Sequence, residues 1–369
     1  MHIFSLINKA YNVIKREVGK DKSGIFLDTR DTGTYVTAAH NNAVFITIQL
    51  LDEEIENLPI LDEKMFLNVD YVRDASKSSY TEIDADDHMY MFIQRCEIAD
   101  AIKDIDYEPL YEIHTIEGVE VFAPLSKSKG IRKLLKDREN LKQVFIIEGL
   151  QCFTTGHWLV QRTTESEYVT VIPLLVLEII SNLGDDVEWL YASGTKNTSK
   201  LRFHGMRKDG GIVTIGCENQ KITGPNVMGV QPDFKPSSFF SIKPEGLYKF
   251  ISKIGKSFSD DDLIYLYFDA EAGLVLSLCV TLVSPDINEV VHKKHTDLSY
   301  SSDYILSDND GFLGDEFKVA WNAVYLTSCL NAVGELIEFI VPIKEDGTGD
   351  KPCALIGESA DALVMPKRL

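Results

Sequence analysis

The chain has 369 residues, of which 57 are acidic and 37 basic, so its formal net charge is -20. An apolar fraction of 44% supports ordinary buried cores and excludes a wholly disordered chain, and the length suits two or three domains. The acidic balance argues against binding nucleic acid over the whole surface, but net charge does not locate the basic residues.

The sequence predicts a protein without a membrane anchor. The longest apolar segment, residues 168–180, is interrupted by Pro173 and Glu178 and is shorter than a membrane span. The N-terminal segment is amphipathic and lacks the pattern of a signal peptide. Six cysteines lie far apart without a C-x-x-C pair, which is typical of small buried side chains in a reducing compartment. We therefore expect a soluble, cytoplasmic protein.

Three segments spaced roughly 120 residues apart each predict an amphipathic helix with a basic outer face. The apolar sides contain Ile7, Tyr11, Ile14 and Val18; Ile131, Leu134 and Leu135; and Leu247, Phe250, Ile251 and Ile254. The opposite faces contain Lys9, Arg16 and Lys20; Lys129, Arg132, Lys133 and Lys136; and Lys249, Lys253 and Lys256. Because acidic residues outnumber basic ones overall, these faces indicate a surface that contacts phosphates, although solvated helix faces can show the same pattern.

A second helix is predicted in each third of the chain, around residues 69–75, 174–183 and 321–333. Runs of β-branched and aromatic residues, such as 43–51, 89–93 and 263–268, predict strands between the helices. Each third thus contains two helices and several strands. This repetition predicts three similar α+β domains spanning residues 1–124, 125–237 and 238–369.

Two segments resemble a known family. The chain ends in Val364-Met365-Pro366-Lys367-Arg368-Leu369, and its middle third contains Thr154-Thr155-Gly156-His157-Trp158-Leu159. They resemble the Met-Pro-x-Arg-Leu tail and the Thr-Asp-Gly-His-Arg-Leu run of the bacterial-type DNA sliding clamp, the beta subunit of the DNA polymerase III holoenzyme. Segments 145–149, 232–234 and 321–326 are similar to further parts of that family. The departures at Thr155, Trp158 and Lys367 would fit a divergent clamp, such as one encoded by a bacteriophage.

The resemblance implies a fold and a function. The fold has three similar clamp domains per chain, each with two helices packed on antiparallel sheets, and two chains close head to tail into a homodimeric ring around duplex DNA. The function is that of a non-enzymatic processivity factor, without cofactor or metal, which a separate ATP-driven clamp loader places on DNA. Short linear motifs of DNA polymerase and the loader bind a pocket between the second and third domains.

The pocket residues that the resemblance assigns are dispersed along the chain. They are Ile147, Thr154, Gly156, His157, Trp158, Leu159, Pro232, Asn322, Tyr325, Val364, Met365, Pro366, Arg368 and Leu369. Such motifs bind by inserting apolar anchors into a groove while a few polar groups fix their orientation. Met365 and its apolar neighbours would form the walls, and His157 and Arg368 would supply polar contacts. The three basic faces, together with Lys22, Lys142 and Gln143, would contact the DNA backbone without reading its sequence.

Two other functions remain open at this point. One is an adaptor with a clamp fold that does not encircle DNA. The other is a hydrolytic enzyme that uses Cys152 or an acidic cluster such as residues 260–262. No metal site is predicted, because His292 and His295 lack a third ligand nearby in the sequence and the acidic run 84–87 is typical of a solvated turn.

Overall fold

The structure is a computed structural model in which the chain forms two compact units. Unit 1 comprises Met1–Ser126, Lys142–Gly149 and Thr164–Thr223, and unit 2 comprises Lys127–Leu141, Leu150–Thr163 and Gly224–Leu369. The structure describes residues 3–19, 23–40, 44–54, 65–67, 69–77, 111–113, 122–127, 129–147, 149–165, 169–194, 200–218, 239–242, 244–245, 247–248, 262–269, 273–279, 299–300, 306–310, 316–342 and 351–367.

The described elements alternate short helices with many strands. The helices are α1 (Ile3–Val18), α2 (Val69–Ala75), α3 (Ala123–Lys127), α4 (Lys129–Leu134), α5 (Leu174–Leu183) and α6 (Ala323–Val333), with 3-10 turns at Asp52–Glu54, Glu139–Leu141 and Gly184–Asp186. The strands are β1 (Gly24–Arg30), β2 (Gly33–His40), β3 (Val44–Gln49), β4 (Met65–Phe66), β5 (Tyr111–Ile113), β6 (Gln143–Ile147), β7 (Leu150–Thr154), β8 (Trp158–Thr163), β9 (Thr170–Pro173), β10 (Val187–Gly194), β11 (Lys200–Arg207), β12 (Ile212–Glu218), β13 (Phe239–Ile242), β14 (Leu263–Asp269), β15 (Gly273–Cys279), β16 (Ser299–Tyr300), β17 (Leu306–Asp310), β18 (Glu316–Asn322), β19 (Leu336–Pro342), β20 (Cys353–Gly357) and β21 (Asp361–Val364).

Unit 1 contains an antiparallel sheet in the order β4-β1-β2-β3-β12-β11-β10-β5. The β3–β12 pairing, in which Ile46 lies opposite Ile215, continues this sheet from the first third of the chain into the second. In the same unit, β6 pairs with β9. Helix α1 packs against β2, β3 and α5. The predicted apolar side of α1 is confirmed in its centre, since Ile7, Tyr11 and Ile14 are buried.

Unit 2 contains two antiparallel sheets. One runs β17-β13-β19-β20-β21-β8-β7, and the other runs β16-β15-β14-β18. Helix α6 packs against strands of both sheets, β8 and β21 in the first and β18 in the second. The buried Trp321 ring at the end of β18 lies 5.3 Å from the Phe339 ring, and its Nε1 donates to Cys353 Sγ at 3.2 Å. These contacts hold the first turn of α6 and the C-terminal strands on a common core.

The predicted helices at 69–75 and 174–183 are confirmed as α2 and α5. The third, predicted from residue 321, begins at Ala323 because Asn322 serves as its N-cap, with Oδ1 accepting from Tyr325 N at 3.1 Å. The second basic helix is shorter than expected, since α4 ends at Leu134 and Lys136 lies in the following turn. Each unit draws on more than one predicted domain, so the three-domain boundaries stay a prediction.

Candidate functional site

A tight turn joins β7 to β8 and presents His157 to solvent. Gly156 has φ of +86°, a left-handed conformation that glycine adopts without strain. The turn is stabilised by Thr154, whose Oγ1 donates to Trp158 O at 2.7 Å and accepts from Gly156 N at 3.0 Å. Thr155 N also donates to Trp158 O, at 3.2 Å. The Thr-Thr-Gly sequence therefore fixes the backbone on which the His157 ring is carried.

The C-terminal tail lies along this turn. Strand β21 pairs with β8 as far as Val364, which lies opposite Trp158. Beyond the strand, Met365 N donates to His157 O at 3.0 Å and Lys367 N donates to Ala320 O at 2.7 Å. Backbone hydrogen bonds thus hold the tail at both ends of Pro366, while the Met365 side chain stays 43% exposed.

The first turn of α6 completes the site. The Tyr325 ring stacks on the His157 ring with centroids 5.4 Å apart and an interplanar angle of 14°. Asn322 caps the same helix end, so the position of Tyr325 is fixed by the cap. Three segments that are far apart in the sequence therefore meet in unit 2, as the family resemblance predicts: the turn, the tail and the start of α6. We call their exposed surface the tail site, formed by Gly156, His157, Asn322, Tyr325, Met365, Pro366 and Lys367.

Arg138 also belongs to this site, although no pattern in the sequence predicts it. It lies in the turn after α4, and its Nη1 donates to Thr155 O at 2.6 Å. A Cβ at Gly156 would lie 3.1 Å from the same Nη1, so the glycine also leaves room for the guanidinium. No motif surrounds Arg138 in the sequence, and only the fold brings it to the turn.

The tail site is electropositive. Partial burial lowers the pKa of His157, and the charges of Arg138 and Lys367 lower it further. The ring is therefore neutral at neutral pH, when it can both donate and accept a hydrogen bond. A neutral stacked ring beside an exposed thioether and two cations suits a ligand that is partly apolar and partly anionic.

Several predicted pocket residues support this surface from beneath. Trp158 is 2% exposed and packs against Phe153 with ring centroids 5.3 Å apart. Thr154, Leu159 and Val364 are likewise buried. The half-buried Ile147 belongs to unit 1, and Pro232, Arg368 and Leu369 lie outside the described residues.

On the predicted DNA-contacting face of α1, both cations are ion-paired. Lys9 Nζ lies 3.1 Å from Asp186 Oδ2. Arg16 pairs with the buried Glu178 of α5 and, at 3.1 Å, with its neighbour Glu17. The helical pattern of the sequence places these cations opposite the core but does not predict their acidic partners.

The remaining predicted cations differ in exposure. Lys133 and Lys136 are exposed, and Arg132 and Lys142 are half-buried. Gln143 is only 5% exposed, so its side chain would have to move to reach a DNA backbone. Lys20, Lys22, Lys249, Lys253 and Lys256, and the side chain of Lys129, lie outside the described part of the chain.

The structure gives little support to hydrolytic chemistry at Cys152. Its thiol is fully buried, and burial raises its pKa to about 12. A thiol in this state is a poor nucleophile because the thiolate is the reactive form. Within the described ranges, no group of three or more His, Cys, Asp or Glu side chains could hold a metal ion, and no helix is long and apolar enough to cross a membrane.

Comparison with known proteins gives a clear result for the fold. No protein-family model and no curated protein matches the chain. Among solved structures, it is similar to a DNA polymerase sliding clamp from Pseudomonas aeruginosa with ligand (12% identity, 99% of this chain and 98% of that chain, TM-score 0.62). It is also similar to a putative DNA polymerase III beta subunit from Eubacterium rectale (14% identity, 99% of this chain and 98% of that chain, TM-score 0.65). A third similar structure is the Helicobacter pylori beta clamp bound to DNA ligase peptide (13% identity, 98% of this chain and 97% of that chain, TM-score 0.57).

These likenesses cover nearly the whole chain at low sequence identity, so they establish the fold. The chain has the α+β fold of the bacterial DNA polymerase sliding clamps, and the fold expected from the tail and the Gly156-His157 turn is confirmed.

Proposed function

We propose that this chain is a DNA sliding clamp, a homodimeric ring that encircles duplex DNA and tethers DNA polymerase and other partners without catalysing a reaction. The observation that carries this proposal is the likeness to bacterial clamps over 98–99% of the chain. An isolated domain match would support a clamp-fold adaptor equally well. A full-length match instead favours the role that needs every part of the chain.

The basic helix faces support the DNA-contacting part of the proposal. A ring that moves along DNA needs electrostatic attraction to phosphates but no contacts that fix its position. Lys133 and Lys136 suit such contacts because their side chains are exposed. Lys9 and Arg16 would contribute weakly, because acidic partners already balance their charges.

The tail site supports the tethering part of the proposal. It combines the exposed Met365 side chain with the stacked His157 and Tyr325 rings on a backbone held by hydrogen bonds. A peptide anchor could pack against these groups with little loss of order in the site, which favours binding. In the Helicobacter pylori structure the clamp is bound to a DNA ligase peptide, and we infer that this chain binds peptides of its partners in the same manner.

Retention on DNA tests the ring. The protein would be loaded by a clamp loader and ATP onto nicked circular DNA, washed in high salt, and half of the sample then linearised. We expect a dimer by light scattering that stays on circles and slides off linear DNA, because contacts based on charge alone are screened by salt. A monomer, or equal loss from both DNA forms, would favour the adaptor instead.

Methionine truncation tests the tail site. Met365→Ala should weaken binding of a polymerase-derived peptide about fivefold, the equivalent of roughly 1 kcal/mol, since an exposed apolar contact is lost. Ile337→Ala is the matched control, because Ile337 is a 60% exposed apolar residue elsewhere in unit 2. Equal affinities for the two variants would place the peptide elsewhere.

A further inference from the structure

Four exposed apolar side chains lie together on one face of the unit 1 sheet. They are Leu190 and Tyr191 of β10, Met206 of β11 and Ile212 of β12, and each is between 40% and 50% exposed. Met206 lies directly across from Ile212, and Tyr191 lies across from His204, two residues along β11. Residues that pair across antiparallel strands share a face, as do residues two apart in one strand. We call the four apolar residues the sheet patch.

A β-bulge creates much of the sheet patch. The register between β10 and β11 shifts between Trp189 and Tyr191, so Leu190 is an extra residue opposite β11. The bulge leaves two consecutive apolar side chains exposed, where the regular alternation of a strand would expose only one. Bulges interrupt the hydrogen-bond ladder and redirect side chains, often beside functional sites. The exposure of Leu190 and Tyr191 is therefore a feature of the backbone and not a scatter of single surface residues.

The Tyr191 ring is held in place by a histidine. It stacks on the His204 ring with centroids 4.6 Å apart and an interplanar angle of 27°. His204 lies between two hydroxyls, with Nε2 2.7 Å from Ser193 Oγ and Nδ1 3.4 Å from Thr214 Oγ1. Burial lowers the pKa of His204, and the charge of Arg202 lowers it further, so the ring is neutral at neutral pH. A partner can pack on this fixed ring with little loss of order in the patch.

The size of the sheet patch favours a short peptide segment over a second copy of the chain. Four half-exposed side chains present an apolar surface of a few hundred Å², the range in which exposed patches are often functional. A stable interface between two proteins takes about 800 Å² from each partner, so the patch alone is too small for one. A peptide segment needs only a few apolar anchors.

The charges beside the sheet patch are mainly acidic. Glu188 of β10 is exposed and lies directly across from the patch residue of β11, and no ion pair among the described residues involves it. On the other side, Ile212 N donates to Gln49 Oε1 at 3.4 Å, and the same Gln49 side chain reaches the β1–β2 turn, which contains the exposed Asp31. Lys208, which follows β11, is an exposed base. The acidic balance favours a partner with a basic residue.

We propose that the sheet patch is a second docking surface of this chain, which binds peptide segments of partner proteins that carry apolar anchors and a lysine or arginine. The anchors pack on Tyr191, Met206 and Ile212, and the basic residue pairs with Glu188. The patch lies wholly in unit 1 and shares no residue with the tail site of unit 2. The inference therefore goes beyond the tethering proposed above and does not depend on it.

A displayed library of random short peptides, selected on the full-length Met365→Ala variant, tests the docking surface, since this variant weakens the tail site. We expect peptides with apolar and basic residues whose affinity falls about fivefold when Met206→Ala is added, because an exposed apolar contact is lost. Val169→Ala is the matched control, since Val169 is an exposed apolar residue of unit 1 outside the patch. It should leave the affinity unchanged.

The charge of Glu188 is tested with the same peptides. Glu188→Gln should weaken their binding about threefold at low salt, and the effect should shrink as salt rises, because an exposed ion pair is screened. Glu165→Gln is the matched control, since Glu165 is another exposed acid of unit 1 and its loss changes the net charge equally. It should have little effect.

Three results would overturn the proposal. A library that yields no peptide dependent on Met206 would remove the docking surface. Peptides that depend on Met206 but lack a basic residue, or that Glu188→Gln and Glu165→Gln weaken equally, would refute the chemistry of the partner. Self-association in light scattering that Met206→Ala abolishes and Val169→Ala preserves would assign the patch to a second copy of the chain. None of these measurements involves DNA, so a failure of the ring proposal would leave them unaffected.

Discussion

The acidic partners of α1 lead to a counterintuitive prediction: removing them should strengthen DNA binding. The double variant Glu178→Gln, Asp186→Asn replaces the carboxylates that pair with Arg16 and Lys9 by uncharged side chains of nearly the same size. Each cation then loses one acidic partner, so its attraction for phosphates should increase. If α1 faces DNA, as proposed, the affinity should rise.

The size of the effect follows from counting charges. Each cation that newly neutralises a phosphate steepens the slope of log K against log salt by about 0.9. Two such cations would steepen this slope by about 1.8 per chain. Because Glu17 remains beside Arg16, we expect the slope to steepen by between about 0.9 and 1.8. Water screens the Lys9–Asp186 pair, so its loss should cost roughly 1 kcal/mol or less in folding stability. The Glu178 side chain is only 7% exposed, so the loss of its charge-assisted hydrogen bond with Arg16 should cost more, on the order of 1–3 kcal/mol.

The assay is fluorescence anisotropy with a labelled duplex of random sequence over a series of salt concentrations, using the full-length protein. Glu165→Gln with Glu188→Gln is the matched control, since these exposed acids of unit 1 give the same change in net charge. The control should raise affinity only slightly through the long-range field. Far-UV circular dichroism would check that both variants remain folded.

The result that would refute the reasoning is a double variant whose salt slope equals that of the control. The ion pairs would then have no bearing on DNA, and α1 would lie away from it. A slope that steepens only for the double variant would place the Lys9 and Arg16 face of α1 against phosphates.

Three further predictions concern single residues. The pKa of His157 should lie below the ordinary value of 6.5 in an NMR titration and rise in Lys367→Gln, and an unchanged pKa would mean that this lysine is remote. Gly216→Ala should destabilise the protein by about 1–3 kcal/mol in urea unfolding, because the new Cβ would lie 2.1 Å from the Phe45 ring. Cys152 should resist thiol reagents at pH 8 until the protein unfolds, as peptide mapping would show, and rapid native labelling would revive the hydrolase hypothesis.

Local patterns in the sequence were sufficient for much of the fold. Helices α2 and α5 have the predicted bounds because apolar spacing is a property of neighbouring residues. The start of α6 is predicted two residues early, because Trp321 is apolar and helix-compatible but belongs to β18. Its place in the strand depends on pairing with Ile264, a partner far away in the sequence.

The segments that form the tail site were predictable from the sequence, but the positive charge that Arg138 adds to the site was not. Family resemblance identified the turn, the tail and Tyr325 because each carries a short motif. Arg138 carries none, and its role depends on how the turn after α4 packs against Thr155. Glu178 and Asp186 were missed for the same reason, since they lie 162 and 177 residues from the cations they neutralise.

The two sets of cations imply different behaviour toward anions. On α1, a phosphate must displace a carboxylate, so each contact replaces one ion pair with another and gains little free energy. Such weak contacts suit a protein that moves along DNA, because strong ones would hold it at one place. At the tail site, none of the ion pairs among the described residues involves Arg138 or Lys367, so an anion there would not have to displace a carboxylate. Under the proposed function, an anion would therefore be attracted more strongly at the tail site than at the α1 face.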